Sequence, residues 1–142
     1  MADITVKLQT IDDKSMYNAT ARETPKIVIG YFPPGETGKG YTSLELLMAS
    51  FGSCVSTILL TLLRFRMKKF ASGLSAKANG IVKKEQPKAL QNLSLFLKID
   101  AKDLKEAELQ EALKVAESEI CPVWSMLKGN VAIDVKAEII CE

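Results

Sequence analysis

The sequence predicts a single α+β domain, residues 1-142, on three observations. Short apolar runs with a period of two stand before and after one long helical stretch. That stretch, residues 42-66, reads TSLELLMASFGSCVSTILLTLLRFR and is apolar on every side of a helical wheel. No repeat, linker or low-complexity tract interrupts the order βββ-α-ββ-α-α-β. With 142 residues, 47% of them hydrophobic, the chain is long enough to bury a sizeable core.

A meander over residues 3-32 comes first. Ile4, Val6 and Leu8 alternate with Thr5, Lys7 and Gln9, which predicts a half-buried strand. Asp12 to Ser15 make a turn, Met16 to Ala21 return, and Lys26-Ile27-Val28-Ile29-Gly30-Tyr31 form a third strand. PPGETGKGY, residues 33-41, is a loop. Its GETGKG resembles a phosphate loop only superficially, because Gly40 stands after Lys39 where Ser or Thr is needed. Thr42 or Ser43 caps the central helix, residues 42-67, and Glu45 lies in its first turn, where the helix dipole favours an acid. Glu45 can equally belong to a site.

The hairpin and helices over residues 73-128 come next. Leu74, Ala76, Ala78, Gly80 and Val82 alternate with polar neighbours and Ile81, a turn around Pro87 follows, and Leu93, Leu95, Leu97 and Ile99 give the clearest strand of the chain. Asp103-Leu104-Lys105-Glu106 has the form of a capping box. Leu109, Ala112, Leu113, Ala116 and Ile120 then share one helical stripe. In Cys121-Pro122-Val123-Trp124, proline suits the first helical position and Cys121 the cap before it. The final strand, residues 130-141, alternates Val131, Ile133, Val135, Ala137 and Ile139. Cys141 shares that parity and reads as structural.

The central stretch admits several readings. Arg64, Arg66, Lys68 and Lys69 behind an apolar run have the form of a membrane span with a basic flank, against which stand Glu45 and the hydroxyl residues inside it. As a core helix, it carries Cys54 either as a small hydrophobe or as a thiol at a contact, since Ser50, Gly52, Ser53 and Ser56 allow another backbone to approach. Six short strands and one amphipathic helix cover such a helix only in part. An intimate homodimer is therefore expected, with the second copy as the missing cover.

Composition narrows the chemistry. Nineteen basic against seventeen acidic residues, with no interleaving of basic and aromatic side chains, give no reason to expect a nucleic-acid partner. No membrane partner and no cofactor are expected either. The chain has no histidine, which excludes Ser-His and Cys-His pairs and histidine metal ligands, and its three cysteines lack zinc spacing. Met1 to Thr10 reads as a strand and not as a secretory signal, so a cytoplasmic protein is expected. Three cysteines there argue for thiols or a redox pair. Cys121, at a helix N-terminus, should have a lowered pKa, whereas Cys54, in mid-helix among Leu and Ile, should have a raised one unless a cation lies close.

ELLMASFGSC, residues 45-54, and CPVWSML, residues 121-127, resemble the two cysteine segments of the OsmC/Ohr family, osmotically inducible protein C and organic hydroperoxide resistance protein. The resemblance in element order covers nearly the whole chain. It implies two antiparallel sheet portions around a long buried helix, an intertwined homodimer with active sites at the subunit interface, and thiol peroxidase activity toward organic hydroperoxides. In this family the cysteine matching Cys54 attacks the peroxide and the one matching Cys121 resolves it, a dithiol then restoring both. Arg22 is the best match for the thiolate-stabilising arginine and Glu45 for the acid that orients it. In the hydroperoxide-resistance branch that acid stands ten residues before the cysteine, where this chain has Leu44; an acid at nine resembles the broader OsmC-like branch. The alternative is a dimer of the same kind that binds a small apolar or acyl ligand and uses neither cysteine.

Overall fold

The computed structural model describes residues 3-11, 15-30 and 40-140. The predicted loop up to Lys39 and Cys141 lie outside them. Two compact units divide the chain between Leu47 and Met48.

The first unit is a three-stranded antiparallel sheet, β1 (Lys7–Thr10), β2 (Met16–Thr20) and β3 (Ile27–Gly30), in that order. The meander is thus where the alternation places it. Its burial is not: all of β1 is exposed, and Ile4, Val6, Leu8 and Ile11 are 91%, 56%, 62% and 50% accessible. Tyr41 bridges to Ile29, and Thr42 then starts α1 (Ser43–Phe65).

The second unit holds most of α1 and a sheet of β4 (Gly73–Val82), β5 (Leu90–Asp100) and β6 (Ala132–Ile140). This sheet corrects the expectation of antiparallel pairing throughout: β4 and β5 are antiparallel, but β5 and β6 are parallel. The reason is the connection. A parallel neighbour needs a crossover, and α2 (Glu106–Val115), a π-helical turn (Ala116–Ile120) and α3 (Pro122–Leu127) supply it between β5 and β6. The cap of α2 also shifts. Lys105, not Asp103, precedes the helix, and its N–H donates to Glu108 Oε1 at 3.0 Å, so Glu106 is not the boxed acid.

Leu93, Leu95, Leu97 and Ile99 of β5 point into one core with Phe51, Val55, Leu59 and Leu63 of α1, Leu109 and Leu113 of α2, and Trp124 of α3. Gly80 of β4 permits a close approach: a Cβ there would lie 2.6 Å from Leu90 Cδ2 and 3.1 Å from Met48 Sδ. Within one chain α1 is covered only in part, as expected of six short strands and one amphipathic helix. Only Phe51, Gly52, Val55, Leu59, Leu62 and Leu63 are buried, while Ser53, Thr57 and Thr61 are exposed. By length and composition alone, with mean hydropathy 2.0, α1 could cross a bilayer; its buried stripe faces β5 instead.

Candidate thiol site between the central helix and the cap of α3

Two cysteines 67 residues apart in sequence meet in the second unit. Cys54 sits half-buried on α1, one residue before the fully buried Val55 and three after the fully buried Phe51. Cys121 is 2% exposed and caps α3 in an extended conformation, φ −74° and ψ 109°. Its Sγ accepts the N–H of Trp124 at 3.4 Å, an N-cap bond with sulfur in the place of the usual oxygen. The cap position read from the sequence is therefore the observed one.

The π-helical turn sets where that cap points. The Cys121 N–H donates to Ala116 O at 2.9 Å, five residues back, and Pro122, with no N–H to give, starts α3 immediately after. One wide turn between two α-helices rotates Cys121 relative to the stripe of α2. Nothing in residues 116-120 announces it, since Ala116-Glu117-Ser118-Glu119-Ile120 reads as ordinary helix.

As a result, Cys121 Sγ donates to Cys54 Sγ across 3.1 Å, about 1 Å beyond a ~2.05 Å disulfide bond. Both are free thiols. Behind them the Phe51 and Trp124 rings meet edge to face, 5.6 Å between centroids and 81° between planes. Each ring lies three residues from one cysteine, so the aromatic contact fixes the separation of the two segments that carry the sulfurs. Sequence reading left out both rings. The signal was there, because Phe51 and the chain's single tryptophan fall at helical spacing from Cys54 and Cys121.

The electrostatics overturn one expectation. Burial pushes the Cys121 thiol up, and its hydrogen bond to Cys54 pushes the same way; together they outweigh the lowering by the Trp124 N–H, and the pKa rises from 9.0 to about 11. A six-residue helix gives too weak a dipole to offset desolvation of a nearly inaccessible sulfur. Cys121 thus keeps its proton through the neutral range.

Glu45 and Arg22 lie in the first unit. Glu45 completes a capping box: the Thr42 N–H donates to Glu45 Oε1 at 2.8 Å, and the Glu45 N–H donates to Thr42 Oγ1 at 3.2 Å. Arg22 stands in the turn after β2 with φ 55°, a left-handed conformation that costs a non-glycine residue ~1 kcal/mol or more. It lines a recess of about 400 Å³ with Asp3, Thr5, Lys7 and Thr20. Among the described residues no group of three or more Cys, Asp or Glu side chains could hold a metal ion.

Comparison with known proteins places these features in a family. The family model described as OsmC-like protein matches residues 36–136. A comparison with curated proteins finds no match. Among solved structures, a hypothetical protein from Aquifex aeolicus VF5 is similar over 100% of this chain and 99% of its own, with TM-score 0.86 and 20% identity. An OsmC-like protein from Mycoplasma pneumoniae is similar over 98% and 95%, with TM-score 0.76 and 18% identity. The organic hydroperoxide resistance protein OhrB of Bacillus subtilis is similar over 96% and 98%, with TM-score 0.66 and 16% identity. At these identities the structures show the shared fold, and the family match covers most of the chain, both cysteines included. The chain belongs to the OsmC-like protein family.

Proposed function

We propose that the protein is a thiol peroxidase that reduces organic hydroperoxides through Cys54 and Cys121. The observation that carries this reading is the 3.1 Å contact in which the Cys121 thiol donates to Cys54 Sγ. The donor of that contact, Cys121, has its pKa raised to about 11 and keeps its proton, and a thiol that keeps its proton is a poor nucleophile. Cys54 is therefore the attacking member and Cys121 the resolving one, although Cys121 is the residue at the helix cap. The shared fold with the organic hydroperoxide resistance protein of Bacillus subtilis supports organic hydroperoxides as the substrate class.

The chemistry balances with these two residues. Cys54 thiolate attacks the distal oxygen of ROOH, the O–O bond breaks, and the alkoxide takes a proton to leave as ROH, with Cys54 now a sulfenic acid. Cys121 sulfur then attacks Cys54 sulfur, and its proton goes to the departing hydroxyl, which leaves as water. The product is a Cys54–Cys121 disulfide. A dithiol reductant returns both thiols by exchange and is itself oxidised to a disulfide.

Arg22 is proposed to supply the guanidinium that holds the Cys54 thiolate and the developing oxyanion, and Glu45 to orient it. Support for Arg22 is its left-handed backbone, since outliers of that kind gather at functional sites. The working assembly is proposed to be an intimate homodimer with its sites at the subunit interface. The accessible apolar side chains Ile4, Val6, Leu8 and Ile11 of the first unit are what a second copy would cover. Free thiols as the working form agree with a reducing, cytoplasmic location.

Stopped-flow mixing of the reduced protein with one equivalent of cumene hydroperoxide tests the proposal. Loss of two of the three thiols, those of Cys54 and Cys121, with one cumyl alcohol per pair, is the expected result. All three thiols still titratable after mixing would contradict it and favour a dimer that binds an apolar ligand.

A further inference from the structure

The turn that joins α1 to β4 and the turn that joins β5 to α2 lie side by side in the second unit. The Ser72 N–H donates to Asp100 O at 2.8 Å, and the Ser72 hydroxyl donates to the same oxygen at 3.2 Å. Between these turns lies a cavity of about 780 Å³, and four lysines from two separate segments, Lys68, Lys69, Lys102 and Lys105, line it. A volume of that order suits a whole small molecule, since ligand cavities run ~300–1,000 Å³.

The charge there is largely unopposed. Lys69 reaches Glu108 only at 3.8 Å. Lys68, Lys102 and Lys105 have no carboxylate partner among the described residues, and Asp103 is the one acid on the cavity wall. Glu106 and Glu108 occupy the first turn of α2, so attraction for an anion comes from the ammonium groups and not from the helix dipole.

Lys68 adds a second, independent observation. It holds φ 56° where α1 ends, at the position from which Lys69 N–H reaches back six residues to Leu63 O at 2.9 Å. Glycine is the usual occupant of such a helix end because it adopts the left-handed conformation without penalty. A lysine there costs ~1 kcal/mol of strain, and what glycine lacks is the side chain that reaches the cavity.

Phe70 supplies a third. Its ring is 73% exposed on the cavity wall, and the Arg64 guanidinium lies 4.9 Å from its centroid. Inorganic anions have no use for an aromatic wall. A phosphorylated molecule with a planar body would use lysines and ring together.

We propose that this cavity binds an organic diphosphate or triphosphate with an aromatic body, of the nucleoside diphosphate kind, its phosphates on the lysines and its ring on Phe70. The site is separate from the thiol pair, and the proposal stands whether or not the protein reduces peroxides.

Calorimetric titration of the full chain with ADP, pyrophosphate and adenosine at physiological salt tests it. Saturable binding of ADP, weaker binding of pyrophosphate and none of adenosine are expected. Lys68→Gly should retain or raise Tm, because it relieves the left-handed strain, and yet weaken ADP by about tenfold. Phe70→Ala should weaken ADP and leave pyrophosphate unchanged. The double change Lys83→Ser, Lys84→Ser removes two positive charges, one more than Lys68→Gly, from the turn between β4 and β5 and should bind like the parent. No saturable binding of ADP or pyrophosphate, unaltered affinity in Lys68→Gly, or equal weakening in the Lys83, Lys84 control would each overturn the proposal. Pyrophosphate binding as tight as ADP would overturn the aromatic-body part of it.

Discussion

The Phe51 ring meets the Trp124 ring edge to face with centroids 5.6 Å apart, and each stands three residues from one sulfur of the pair. The core of the second unit and the chemistry of the thiols therefore share one contact. Phe51→Ala should cost about 3–5 kcal/mol in denaturant unfolding, as a buried aromatic truncation does. It should also slow disulfide formation, because α3 loses the ring that holds its cap against α1. Leu109→Ala, equally buried but away from the sulfurs, should lose stability and leave the rate of disulfide formation alone. Equal slowing in both variants would show that the aromatic contact has no special role.

Cys121 should make stability depend on pH in the alkaline range. Its folded pKa, about 11, lies above the ordinary 9.0, so the native state binds this proton more tightly than the unfolded chain. The stabilisation is present in full below pH 9.0 and is lost as pH rises toward about 11. Denaturant titrations across that window should show the parent losing about 1–3 kcal/mol more than Cys121→Ser. Parallel pH curves for the two proteins would show that the thiol is not held protonated.

The two cysteines should fail in different ways when replaced. Cys121→Ser should still consume hydroperoxide once, but its Cys54 sulfenic acid has no partner and should pass to sulfinic acid on excess peroxide. In Cys54→Ser, Cys121 should consume none, because it is buried and protonated. Mass spectrometry of each variant checks both outcomes. Rapid oxidation of Cys121 in Cys54→Ser would reverse the assignment of attacking and resolving thiol.

Glu45 carries a structural duty that separates cleanly from its proposed chemical one. Glutamine still completes a capping box, so Glu45→Gln should keep Tm, whereas Glu45→Ala should cost about 1 kcal/mol. If the carboxylate orients a guanidinium, Glu45→Gln should also slow Cys54 oxidation by about tenfold, read in stopped flow. An unchanged rate would leave Glu45 as a cap alone.

Much of this architecture is legible in the sequence because it depends on local pattern. The alternation of Leu93, Leu95, Leu97 and Ile99 gives β5, and the Cys121-Pro122 pair gives the start of α3. Two features were not legible, each for a physical reason. The parallel β5–β6 pairing is a property of the crossover, not of either strand's composition. The raised pKa of Cys121 depends on how deeply the cap is buried, which a helix start in sequence does not reveal. The meeting of the two thiols was expected only from the family resemblance, and the π-helical turn that aims Cys121 leaves no mark in residues 116-120.

The central claim is that Cys54 and Cys121 act on one peroxide as a unit. Intact-mass measurement of the reduced protein after a single equivalent of tert-butyl hydroperoxide, followed by peptide mapping, tests it most directly. The account predicts the loss of two hydrogens, with the peptides bearing Cys54 and Cys121 joined. An unchanged mass, or a stable gain of oxygen on one cysteine while the other remains free, would contradict it.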